Sequence, residues 1–470
     1  MHGYDEFDVT ALADLVRRKQ VHPRELVEAA IERVERLNPL LNAVIHRQFE
    51  RARADAERVD HDAPFAGVPF LFKDYKGREA GESYHAGVPT LRDLDYRPPT
   101  DSRFALRARQ GGLIPIGRTN VPQLAAMGTT EPTLYGPTHN PWDLSRSPGG
   151  SSGGAAAAVA ARIVPAAHGN DISGSIRIPA AMCGLVGLKP TRGRVVTSDT
   201  DPATGMFAEG VLTRTVRDTA ALVDLLTDRS PWWPAPGCSE SLAPVVGTDP
   251  GVLRIGVWTE AFNGGQTEGV TVDGESVGAA TDTARLLESM GHRVEVAAPA
   301  EFSSDELWQT ARTALGASVA ADAASWRGRI GHPLGEADLE PRTWAMVQAG
   351  NAMSGVELFE LIGRLQDISR RALSWWDDFD VLVTPTTPTA AMPLGDYLAN
   401  YVSGLGSAFT RPINVTGQPA ISLPLGWPSD GLPRGVQLIA AYGRDELLIQ
   451  VASSLEAASP WSHHRPGIRT

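Results

Sequence analysis

The sequence predicts an α/β fold, a doubly wound sheet with helices on both faces. Between residues 66 and 260, short apolar runs alternate with helical patterns, the order that places a sheet between helix layers. Residues 379–470 return to apolar runs after a helix-rich stretch, so the late strands are expected to rejoin the sheet begun by the early ones. With 470 residues, 42% hydrophobic and 21% charged, the chain is long enough for one large core or for two to three domains. The late return of strands favours one intertwined unit.

Residues 1–60 read as helical. Ala11, Leu12, Leu15 and Val16 form one apolar stripe, and Leu26, Ala29, Ala30, Val34 and Leu37 form another. Pro23 stands where a helix begins, since its missing N–H is not needed in a first turn. In the segment about 66–230, VPFLF, LIPIGR, RIVPAAHG and GLVGLKPT read as strands, with helices at 102–110 and 152–161. The alanine run after GGSSGG reads as a closely packed helix. The segment about 251–378 carries LRIGVWT and HRVEVA as strands around a helix at 276–289, then long helices at 308–326 and 356–376. It is expected to frame a pocket. Residues 379–470 supply DVLVTP, AISLPLG and GVQLIAA as strands and a closing helix at 446–457.

The formal charge is −12, which argues against a nucleic-acid partner, because phosphate backbones attract basic surfaces. Two cysteines, Cys183 and Cys238, are too few for a disulfide scaffold or a four-cysteine zinc site. The opening residues MHGYDEFDVTALADL lack a basic region followed by an apolar stretch, so no secretory signal is read there. No window approaches the roughly 20 apolar residues of a membrane span. A soluble, cytoplasmic protein without a membrane partner is the expectation.

Chemistry concentrates in SPGGSSGGAAAAVAARIVPAAHGNDISGSIRIPAAMCGLVGLKPT, residues 147–191. Two serines stand there in glycine-rich settings, Ser151 in GGSSGG and Ser175 in DISGSIRIP. Small neighbours let a substrate approach the backbone, and successive N–H groups can converge on one point. Ser175 ends a turn that opens a helix-like run, where unpaired N–H groups and the helix dipole favour a negative charge. A tetrahedral oxyanion on Ser175 would face the backbone N–H groups of Ile172, Ser173, Gly174 and Ser175. Upstream, the apolar run from Val68 to Phe72 delivers Lys73 into the interior. Burial disfavours an ammonium, so a lysine with an ordinary pKa near 10.4 can become a base there. Two serines and one buried lysine point to a serine hydrolase whose base is not histidine.

Each of these residues also has a plainer reading. Alone, Ser175 is a helix N-cap, SPGGSSGG a flexible linker, and Lys73 with Asp74 a surface ion pair. His168 is expected to pack beneath the turn, and His463 and His464 lack further ligands at metal spacing. Trp308, Trp326, Trp344, Trp375 and Trp376 either line a pocket or, more commonly for their type, fill the core. The role of Lys76 stays open.

The Lys73 segment, GGSSGG, DISGSIRIP and GLKPTRGRV are followed by GVLTRTVRDTAALVDLL, DVLVTPTTP, NVTGQPAISLPLG and DGLPRGVQLIAAYGRDELLIQVASSLE. In order and spacing these segments resemble the amidase signature family, from about Leu12 to Pro466. The resemblance implies one three-layer α/β/α domain over 1–470 with a central mixed, twisted sheet. It implies Ser175 as nucleophile, Ser151 as a proton bridge behind a cis Gly150–Ser151 peptide, and Lys73 as base. An acyl-enzyme route then cleaves a small linear or cyclic carboxamide, with no cofactor and no metal. PAAHGND and the C-terminus look closest, within the family, to the 6-aminohexanoate cyclic dimer hydrolases. Many members form dimers, so a homodimer is the implied assembly.

The main alternative is the glutamine-hydrolysing A subunit of a tRNA-dependent amidotransferase. Such subunits carry SRYGLVAFASSLDQIGP after the GLKPT strand, where this chain has RVVTSDTDPATGMFAEGV. They also place an acidic residue where Ser407 stands. A non-catalytic binding protein on the same scaffold is the second alternative, against which all three catalytic positions are intact. One departure bears on substrate scope: Ser173 stands where most members have glycine.

Overall fold

The computed structural model describes residues 1, 3–195, 204–227, 240–262, 270–399 and 405–468. Its first helices, Val9–Arg17 and Pro23–Leu41, form on the two apolar stripes of the N-terminal segment. Pro23 opens the second, where His22 and Glu25 make a reciprocal capping box.

Eleven strands among the described residues build one sheet. They are β1 Val44–Arg47, β2 Pro69–Lys73, β3 Ile114–Thr119, β4 Ala166–Asp171, β5 Val186–Lys189, β6 Ala208–Thr213, β7 Arg254–Val257, β8 Arg293–Val296, β9 Val381–Pro385, β10 Ala420–Gly426 and β11 Arg434–Ala440. Their order across the sheet is β1-β3-β2-β4-β6-β5-β10-β11-β9-β7-β8. β2 runs parallel to β3 and β4, whereas β10 is antiparallel to both β5 and β11. The sheet is therefore mixed, and helices cover both sides.

Two strands escape a reading by pattern. β1 has four residues that alternate only weakly, and β6 opens on the buried carboxylate of Glu209. The strand expected over RIVPAAHG starts only at Ala166, because Arg162 adopts a left-handed backbone (φ 59) just beyond the preceding helix.

That preceding helix, Gly153–Ala160, is buried along its whole length. Small side chains make this possible: a Cβ on Gly154 would meet backbone atoms of Asn120 at 2.6 Å. Trp308 and Trp326 are fully buried and Trp376 nearly so, in clusters that Trp344 and Trp375 flank. These five tryptophans pack in or against the core. Cys183 is buried and free, and burial pushes its thiol far up, whereas Cys238 and residues 196–203 lie outside the described residues. Among the described residues no helix is long and apolar enough to cross a membrane.

Candidate active site

Parallel pairing of β2 with β4, in the register Leu71 opposite Ala167, brings Lys73 beside Gly169 and Asn170 at the carboxyl ends of the two strands. This is where open α/β sheets place their ligands. Lys73 is fully buried. Its Nζ lies 2.8 Å from Ser151 Oγ, 2.9 Å from Ser152 Oγ and 2.6 Å from Asn170 Oδ1. Asp74 turns the other way and accepts from Arg118 Nε at 3.0 Å and the Ala86 N–H at 2.9 Å. Lys73 and Asp74 thus form no surface ion pair.

His168 lies under the lysine. Its Nδ1 accepts the Lys73 backbone N–H at 3.3 Å, so Nε2 carries the ring proton and donates to Glu209 at 2.7 Å. Burial lowers the pKa of His168 despite Glu209, which keeps the ring neutral. Burial also pushes Lys73 down to about 7, against the opposing pull of Glu209 and Asp171. A substantial fraction of Lys73 is therefore unprotonated at neutral pH.

The Gly150–Ser151 peptide is cis. Position 150 has no room for a side chain, since a Cβ would meet the Thr129 carbonyl oxygen at 2.5 Å. Ser175 joins this arrangement through the backbone: the Ser152 N–H donates to its carbonyl at 3.3 Å. Ser175 is mostly buried, and among the described residues its hydroxyl makes no hydrogen bond. The structure thus joins Lys73 directly to Ser151 and places Ser175 alongside, with no direct bond between the two serine hydroxyls.

Asp171 holds the turn that carries Ser175. Oδ1 accepts from the Gly174 N–H at 2.7 Å and Asn414 Nδ2 at 2.9 Å, and Oδ2 from the Ile176 N–H at 3.1 Å and Arg177 Nε at 3.0 Å. Burial works to raise the Asp171 pKa, but the Arg177 guanidinium holds it well below the usual carboxylate range. Because Asp171 takes the Gly174 N–H, that amide is turned away from an oxyanion. The N–H groups of Ile172, Ser173 and Ser175 donate to no protein group among the described residues. Gly174 has φ +125, and a Cβ there would lie 2.3 Å from Thr410 Oγ1. Only glycine fits. Ser173 differs, because its side chain leaves the turn and Oγ accepts from Arg411 Nε at 2.9 Å.

A cavity of about 200 Å³ opens onto Ser151, Asn170 and Ile172. Its walls are largely apolar, from Leu124, Ala125, Phe207, Leu315 and Val319. The helix Asp305–Ser325 supplies one wall, and Trp308, Trp326, Trp344, Trp375 and Trp376 do not line the cavity. Among the described residues no group of His, Cys, Asp and Glu could hold a metal ion. Sequence reasoning missed Asn170, Ser152 as a lysine partner, and the Asp171–Arg177–Asn414 brace. The polar Asn170 beside Asp171 in HGNDIS was the one available signal.

The Amidase family model matches residues 25–449. This chain belongs to the Amidase family. The amidase is 40% identical to the 6-aminohexanoate-cyclic-dimer hydrolase of Paenarthrobacter ureafaciens, over 98% of this chain and 96% of that one. The solved structure of 6-aminohexanoate cyclic dimer hydrolase complexed with substrate superposes with a TM-score of 0.93 at 38% identity, covering 98% and 99% of the two chains. A bacterial aryl acylamidase of the amidase signature family gives 0.89 at 28% identity, covering 99% of each. The amidase is thus a hydrolase of amide C–N bonds.

Proposed function

We propose that the amidase cleaves small cyclic or linear carboxamides through an acyl-enzyme on Ser175, with Ser151 and Lys73 as its proton relay. The observation that carries this reading is the donor count around Lys73 Nζ. A neutral amine has two N–H donors and one lone pair. Asn170 Oδ1 can only accept, so it takes one N–H. Ser152 Oγ takes the other, since its own hydroxyl points to the Asn170 carbonyl at 3.4 Å. The lone pair is left facing Ser151 Oγ. Ser151 can then pass its proton to Lys73 while accepting that of Ser175, which attacks the carbonyl carbon.

The oxyanion meets the N–H groups of Ile172, Ser173 and Ser175, each donor worth on the order of 3 kcal/mol. The relay next returns the proton to the leaving amine, and water releases the acyl group by the same route. Two relatives, from Paenarthrobacter ureafaciens and a Pseudomonas strain, act on 6-aminohexanoate cyclic dimer by name, and the largely apolar cavity suits such a cyclic amide. The amidotransferase reading is disfavoured at Ser407, a buried neutral residue where those subunits place an acidic one that could hold the glutamine amine.

The test is hydrolysis of 6-aminohexanoate cyclic dimer, a p-nitroanilide, a fatty amide and glutamine by the purified protein and its Ser175→Ala variant. Turnover of a non-glutamine amide that the variant loses is the expected result. Activity on glutamine alone, or only with an added partner protein, overturns it.

A further inference from the structure

One side of the cavity is charged. Lys76 Nζ donates to Asp322 Oδ1 at 2.9 Å, and the two side chains are only 14% and 11% exposed. Both line the cavity that reaches Ser151 and Asn170. Asp322 projects from the helix Asp305–Ser325, on the stripe that also turns Leu315, Ser318 and Val319 to the cavity. The Tyr75 hydroxyl faces Asp322 as well, and burial with that carboxylate keeps its proton on.

The backbone bends to make this wall. Lys76 has φ +65, with its N–H held by the Tyr84 hydroxyl at 2.9 Å. Leu124 and Ala125, also on the cavity wall, have φ +50 and +54. Residues other than glycine adopt this region only at an energetic cost, and such strain collects at ligand sites. A nearly buried ion pair gains little for stability over an apolar pair. Its place beside the relay calls for a substrate group.

We infer that Lys76 and Asp322 together read a second amide of the substrate, so that the enzyme prefers diamides to mono-amides of equal size. This rests on the amidase reading above. An amide presents a C=O acceptor beside an N–H donor. A lysine ammonium is donor only and a carboxylate acceptor only, so the pair is its complement. Lys76 donates to the carbonyl and Asp322 accepts from the N–H. Lys76 and Asp322 line the same cavity as Ser151 and Asn170, so the second amide lies along that cavity from the bond that is cut. A substrate lacking it leaves the pair facing an apolar chain, which penalises its desolvation.

The test uses three acyl p-nitroanilides of equal chain length, carrying a second amide, only methylenes, or a terminal carboxylate. Wild-type protein is expected to favour the diamide by at least tenfold in kcat/KM, with the difference in KM. The double variant Lys76→Met/Asp322→Leu strands neither charge and is expected to lose that preference. Equal rates on diamide and alkyl anilides by the wild type overturn the inference. A stronger preference for the carboxylate, or a diamide preference that survives in the variant, also overturns it. Should the double variant fail to fold, the wild-type comparison decides, with Asp322→Asn as the shape-conserving second variant expected to reduce the preference. No turnover of any anilide, with no labelling of Ser175 by a fluorophosphonate, overturns instead the relay on which this rests.

Discussion

Asn170 ties Lys73 to the chain that follows it. Its Oδ1 accepts from Lys73 Nζ at 2.6 Å, while its Nδ2 donates to the Tyr75 carbonyl at 3.1 Å. One amide thus orients the relay amine and fixes the segment leading to Lys76. Replacing it with Leu removes the acceptor without adding a charge. An ammonium loses more from this than a neutral amine does, so the Lys73 pKa falls further. The expected result for Asn170→Leu is a kcat lower by about 10–100-fold, and a pH midpoint below that of the wild type. A wild-type profile in this variant would show that Asn170 does not hold the lysine.

The pH profile of the wild type follows from Lys73. The base form is the unprotonated one, and burial brings its pKa to about 7. Activity is therefore expected to be low at pH 5, to rise through about 7, and to level off by about pH 8.5. Measuring kcat/KM across that range checks the assignment. A profile already flat from pH 5 removes Lys73 from the role of base.

Ser151 and Ser152 touch the same lysine nitrogen at nearly equal distance, and the donor count of the neutral amine assigns them different work. Ser151→Ala removes the bridge and is expected to cost about two to four orders of magnitude in kcat. Ser152→Ala removes one acceptor of a lysine N–H, a loss of about tenfold. Equal losses would mean that the bridge is not unique to Ser151.

How legible this site was depends on the kind of interaction. Lys73, Ser151 and Ser175 stand in local motifs whose residue types announce their chemistry, and the helical stripes around Leu12 and Val34 follow from periodicity. Asn170 as a lysine partner depends on the β2–β4 register, Arg411 on Ser173 on a contact 238 residues away in sequence, and Lys76 with Asp322 on one 246 residues away. No local pattern encodes such pairs. The Gly174 amide shows the same limit, since only the folded turn reveals that Asp171 has already taken it. β1 and β6 were missed because short strands with buried polar residues lose their alternation.

Ser173 offers a test of scope. Its hydroxyl is held by Arg411, whose guanidinium lies 5.2 Å over the Trp308 ring. Ser173→Gly keeps the backbone N–H, so the chemistry is expected to persist while relative kcat/KM values across an amide panel change. An unchanged panel would show that the residue has no part in specificity.

Stability carries its own pH signature at Glu456, far from the relay in sequence. Burial raises its pKa from 4.5 to about 7, with Asp218 and Asp8 adding to the rise and the Val216 N–H opposing it. A carboxyl raised in the folded state favours the protonated form. Its contribution is fully present below about pH 4.5 and is lost as the pH climbs through 7. Histidines with lowered values, such as His85 at about 4, act in the opposite sense over the same range, so the wild-type curve alone cannot isolate Glu456. Glu456→Gln keeps an acceptor for Val216 and removes the charge. Relative to wild type it is expected to be near neutral at pH 4.5 and more stable at pH 8, by on the order of 1–3 kcal/mol. Denaturant midpoints of both proteins at the two pH values measure the difference, and a constant offset would place the Glu456 charge outside the folding balance.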